Sequence, residues 1–90
     1  VTHSDLDVFY SFGRGEVSML SCEISTLLAG RTAKDINVPG EITVVSVTRD
    51  DKAFIPSSGT TFKEGDVVHL AVLSSAMLRL EEMLGLERRV

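Results

Sequence analysis

Alternation between apolar and polar positions starts at Glu16 and runs to Ile24, where Val17 and Met19 share one parity while Leu20, Cys22 and Ile24 share the other. A single half-buried strand cannot bury both sets, so a bulge near Met19, or burial on both faces, is expected. After Leu27-Leu28-Ala29-Gly30 comes Thr32-Ala33-Lys34-Asp35. There a threonine cap and an aspartate three residues on predict a short helix over 32–37. Pro39-Gly40 ends it. The β-branched stretch Ile42 to Thr48 then predicts a central strand, with Ile42, Val44 and Ser46 on one face and Thr43, Val45 and Val47 on the other. Asp50-Asp51 predicts a tight reversal into a strand from Lys52 to Ile55, with aspartate taking the positive φ that glycine prefers. Pro56 to Thr60 is a loop, and Lys63-Glu64-Gly65-Asp66 a turn into a strand from Val67 to Leu73. From Ser74 the period becomes helical: Met77, Leu80 and Leu84 fall at i, i+3 and i+7, and Gly85 is placed to end the helix. The order predicts an α+β fold: a small, mostly antiparallel sheet with a short helix after the first strand and a C-terminal helix packed on one face. Val45, Val47, Val68, Leu70, Val72, Leu80 and Leu84 are the expected core.

Ninety residues make at most one domain, and 43% hydrophobic content describes a folding chain instead of a disordered one. The longest apolar run, Val67 to Leu73, is interrupted by His69, so no membrane insertion is expected. The net charge of −4 and the dispersal of the nine cations argue against a nucleic-acid partner. A lone cysteine, Cys22, and two histidines far apart give neither a disulfide nor zinc-type spacing, and no metal site is expected. The start, VTHSDLDVFY, has no signal-peptide pattern and no initiating methionine, which suggests a piece of a larger cytosolic chain. Residues 1–15 are expected to be a flexible lead-in from a missing N-terminal half, 16–86 the domain, and 87–90 a tail.

Catalysis finds no constellation. No cue brings Cys22 or a serine beside His3 or His69, so the chain is read as non-enzymatic. Mid-strand His69 is read as structural or interfacial, and Cys22 as core filling. Gly13-Arg14-Gly15 lacks the third glycine and the following helix of a dinucleotide loop, and reads as a lead-in. Asp5 with Asp7, and Asp50 with Asp51, offer too few oxygens for a hard cation and read as solvated turns. Arg49 stands out, ending an apolar strand where it can lie over apolar surface and present its fork to a phosphate or carboxylate. A surface salt bridge with Asp50 or Asp51 is the competing reading.

Leu28-Ala29-Gly30-Arg31-Thr32, Asn37 to Ile42, Val44 to Arg49, Phe54-Ile55-Pro56, Gly59-Thr60 and Glu64 to Val68 resemble, in this succession, the TrkA family C-terminal domain, or RCK C-terminal domain. The resemblance implies a cytosolic regulatory domain of a potassium transporter or channel that pairs as a homodimer. Its partner would be a membrane transporter or channel subunit, placing the domain in the cytoplasm, peripheral to the inner face of the plasma membrane. It also implies a ligand at or near the dimer interface, of a kind that differs among members, with cyclic di-AMP, other nucleotides and cations all represented; with cyclic di-AMP, Ile42, Thr43 and Val44 would hold bases and Arg49 would meet phosphate. On that reading Arg49→Ala weakens binding and leaves the melting temperature of the empty domain nearly unchanged. Asp51, where relatives often carry glycine, departs from the pattern. A dimerisation module without a ligand, or an enzyme fragment, are the alternatives.

Overall fold

The computed structural model describes residues 6–84, in which five strands form one antiparallel sheet with helices on one face. In chain order they are β1 (Leu6–Phe12), β2 (Val17–Glu23), α1 (Ala33–Ile36), β3 (Ile42–Arg49), β4 (Lys52–Phe54) and β5 (Val67–Leu73). A 3-10 turn, Ser74–Ala76, then leads into α2 (Met77–Met83). The strands lie in the order β1-β2-β5-β3-β4, so β5 is central. His3, Asp5, the expected stop at Gly85 and the tail 87–90 lie outside the described residues.

The expected α+β architecture holds, with two corrections. The first is β1: part of the segment read as a flexible lead-in is a strand, paired with β2 from Leu6↔Cys22 to Phe12↔Val17. Gly13 to Glu16 is the hairpin turn, closed by the Gly15 amide donating to the Phe12 carbonyl at 3.0 Å. The bulge expected near Met19 falls on the facing strand, where the register shifts between Val8 and Tyr10 opposite Leu20 and Met19.

The second correction concerns β3. Its register against β5 slips by one residue between Val44 and Ser46, so Ile42 and Val44 face the helices, and so does Val47. A slip of one residue exchanges the two faces of a strand. Val45, expected in the core, is therefore 38% exposed, whereas Val47, Val68, Leu70, Val72, Leu80 and Leu84 are buried as expected. Leu20, Cys22, Ile24, Leu28, Ala33, Ile36, Phe62 and Ala76 complete the core.

Local chemistry explains the connections. Thr32 precedes α1, and its amide and hydroxyl both donate to the Asp35 carboxylate, at 3.0 and 3.2 Å. Asp50 and Asp51 take φ of 52° and 66°, making the two-residue reversal from β3 to β4. Gly65, at φ 92°, turns the chain into β5. Leu80 on α2 and Leu84, which caps its end, are buried, and Met77 packs against the core from a partly buried position. Leu80→Ala is expected to cost about 2–5 kcal/mol in denaturant unfolding, the range for emptying a buried leucine site. A cost near zero would mean that α2 is not docked on the sheet.

Candidate functional site

Two regions hold the chemistry: the end of β3, and the sheet face that the helices leave open. At the end of β3, Arg49 turns toward the covered face because of the slip at Val45. The pairings Val47↔Val68 and Thr48↔Val67 continue to set Arg49 beside Asp66. Its Nε donates to Asp66 Oδ1 at 2.9 Å and its Nη2 to Oδ2 at 2.7 Å, a fork gripping both oxygens of one carboxylate. Nη2 also donates to the Thr61 carbonyl at 3.0 Å, and the guanidinium lies 5.4 Å from the Phe54 ring centre. Lys63 adds its backbone N–H to Oδ2 at 2.8 Å. Arg49 keeps 27% of its side chain exposed against 2% for Asp66. The partner is thus Asp66 and neither Asp50 nor Asp51, whose turn continues away beyond the strand.

The electrostatics follow from these bonds. The Arg49 guanidinium holds the Asp66 carboxyl below the ordinary range against the opposing effect of burial, and the Lys63 amide lowers it further. Asp66 in turn raises Arg49. Asp35 and Glu16 are also lowered, by the backbone amides of Thr32 and Arg14. Because the folded value of Asp66 lies below the unfolded one, its stabilisation is fully present above the ordinary aspartate value of about 3.9 and is lost as pH falls through the folded value. Melting temperatures taken downward from pH 5 are expected to fall less steeply for Asp66→Asn than for the parent. An identical slope would remove Asp66 from the acid limb.

The four residues expected to bind a ligand do not meet in one protomer. Ile42 and Val44 are 1% and 7% exposed within the core. Thr43 pairs with Ala71 on the open face, six residues from Arg49, or about 20 Å along a strand. Thr43 lines a shallow depression of about 170 Å³ with Val17, Gly40, Glu41, Ala71, Val72 and Leu73. A second depression, of about 360 Å³, lies against the Gly65 turn between Glu23 and Glu64, with Thr26 Oγ1 donating to Glu64 at 3.0 Å. Its two carboxylates disfavour an anion. Among the described residues no group of three or more His, Cys, Asp or Glu side chains is arranged to hold a metal ion.

The open face is centred on β5. His69 pairs with Ser21 of β2 and Ser46 of β3, and its Nδ1 lies 3.3 Å from the Ser46 hydroxyl. The Phe9 ring stands edge-on to it at 5.5 Å and 86°. Tyr10 and Phe12, opposite Met19 and Val17, pack ring edge to face at 4.8 Å. Phe9, Tyr10 and Phe12 are 54%, 58% and 48% exposed. Sequence reasoning missed these aromatic residues because it left their segment unpaired, and it missed Asp66 as the partner of Arg49 because that pairing depends on the slip in β3. Cys22 sits in the core, 3% exposed. No helix among the described residues is long and apolar enough to cross a membrane.

The family model of the TrkA-C domain matches residues 23–85. No curated protein matches the chain.

Proposed function

The chain belongs to the TrkA-C domain family, regulatory domains of potassium transport systems, and from that premise we propose that it acts as a self-associating sensor module. It pairs with a second copy through the open sheet face and responds to an anionic small molecule of the nucleotide class. The observation that carries the pairing is the row of half-exposed aromatic residues on β1, continuous with Val17, Met19, Ala71 and Leu73, which a solitary domain would leave in water. Four strands of seven residues cover about 450 Å² on strand spacing and rise alone. Two such faces approach the roughly 1,000 Å² of a specific contact. The module belongs on this reading to the cytoplasm, held beside the inner face of the plasma membrane by a potassium transporter or channel subunit. The family is regulatory, which argues against the enzyme alternative.

The ligand reading rests on Arg49, a partly exposed cation with a planar fork beside an aromatic ring. With Ile42 and Val44 in the core and Thr43 on the open face, Arg49, on the covered side, is the one of the four left to meet an anion. Calorimetry with cyclic di-AMP, ATP and AMP tests it, the expectation being saturable binding by one of them that weakens in Arg49→Ala. Absence of binding by all three favours the second reading, a pairing module without a ligand. That reading draws support from the engagement of Arg49 with Asp66.

A further inference from the structure

The Arg49 fork has the shape that grips a phosphate, and it is occupied by a carboxylate of the same chain. Nε and Nη2 hold the two oxygens of Asp66 at 2.9 and 2.7 Å, so the edge of the guanidinium that would make a bidentate bond is filled. We infer that Asp66 is an internal competitor for the anion, and that a ligand gains the fork only when the turn from Lys63 to Asp66 lets go. The inference rests on the nucleotide reading above, and names the residue that sets its affinity.

Charge and burial give the competition its sign. A carboxylate 2% exposed cannot be stripped of its cation and left in place, since an uncompensated buried charge is strongly unfavourable. An incoming phosphate must therefore expel Asp66 toward water, or bind at the outer edge of Arg49 without the fork. Expulsion has a route in the turn: Lys63, Glu64 and Gly65 are exposed, and glycine at 65 has no Cβ to oppose a change of backbone conformation. It also has a consequence. The same turn is bonded to Ile24 at the end of β2, through Ile24 N–H to the Asp66 carbonyl at 2.7 Å and Gly65 N–H to the Ile24 carbonyl at 2.9 Å. Thr61, whose carbonyl Arg49 also holds, bridges to Thr32 at the start of α1. Capture of an anion by Arg49 would loosen both connections together, which gives ligand binding a conformational readout.

The test is calorimetric titration of AMP and of inorganic phosphate into the parent domain, Asp66→Asn, Arg49→Ala and the double variant, with Asp51→Asn as a control for net charge. Asp66→Asn is expected to bind on the order of tenfold tighter than the parent, within the usual range for coupled sites. That gain should vanish in the double variant, and Asp51→Asn should show none of it. If Arg49→Ala weakens binding by the parent while Asp66→Asn leaves it unchanged, Arg49 uses its outer edge and the competitor role is overturned, while the ligand reading stands. If Arg49→Ala changes nothing in either background, or neither protein binds, both are overturned. Should Asp66→Asn or Arg49→Ala not fold, the parent decides: saturating AMP is expected to shift the Arg49 Nε–H and Lys63 amide resonances together, and an unmoved pair overturns the inference.

Discussion

Phe62→Ala is expected to lower the stability of the domain by about 3–5 kcal/mol, the range for truncating a buried phenylalanine. The ring is 1% exposed and is the largest of the fully buried side chains, although it belongs to no helix or strand. Its backbone explains how a loop residue comes to anchor the core. Phe62 N–H donates to the Arg31 carbonyl at 2.8 Å and its carbonyl accepts from Gly30 N–H at 2.9 Å, so two loops are clamped across the ring. For 90 residues a total stability of about 5–13 kcal/mol is ordinary, and the loss is a large share of it. Urea unfolding monitored by far-ultraviolet circular dichroism measures it. A loss under 1 kcal/mol would mean that the ring is not the core residue described.

Asp66→Ala is expected to cost about 3 kcal/mol, the low end for removing one partner from a buried ion pair, because Arg49 can turn its exposed part to water. Arg49→Ala should be the worse variant, since it leaves the Asp66 carboxylate without its cation, held among the described residues by the Lys63 amide. This reverses the expectation, drawn from the family resemblance, that Arg49→Ala leaves the melting temperature nearly unchanged. A double variant replacing both with apolar side chains, Arg49→Met with Asp66→Leu, is expected to recover much of the loss. If instead the losses of the two single variants add, the pair is not coupled.

How far these residues could be read in advance depends on whether their signal is local. The α2 helix was legible because Met77, Leu80 and Leu84 repeat at helical spacing, and the reversal at Asp50-Asp51 because a short polar pair separates two strand-like runs. Thr32 and Asp35 announce α1 in the same way. The slip in β3 carries no such mark: Val44, Val45 and Val47 are equally apolar, so either parity satisfies the pattern, and pairing with β5 makes the choice. The link from Arg49 to Asp66 inherits that ambiguity, since an unbroken register would bring Arg49 opposite Gly65 instead. Strand β1 was hidden for a different reason. Its Val8, Phe9, Tyr10 and Phe12 all stay about half exposed on an edge strand, so no alternation between buried and open positions is imposed on the sequence. Phe62 stands alone in a loop, outside any period.

Pairing of two copies through the open sheet face is open to direct test by sedimentation equilibrium of the parent, Tyr10→Lys and Leu78→Lys. Tyr10 is 58% exposed on β1 beside Met19, and Leu78 is 59% exposed on the outer side of α2, across the sheet from it. The expected result is a dimer for the parent and for Leu78→Lys at high micromolar concentration, and a folded monomer for Tyr10→Lys whose melting temperature, unlike the parent's, does not rise with concentration. A monomeric parent, or a Tyr10→Lys variant that dimerises as strongly as the parent, would contradict it.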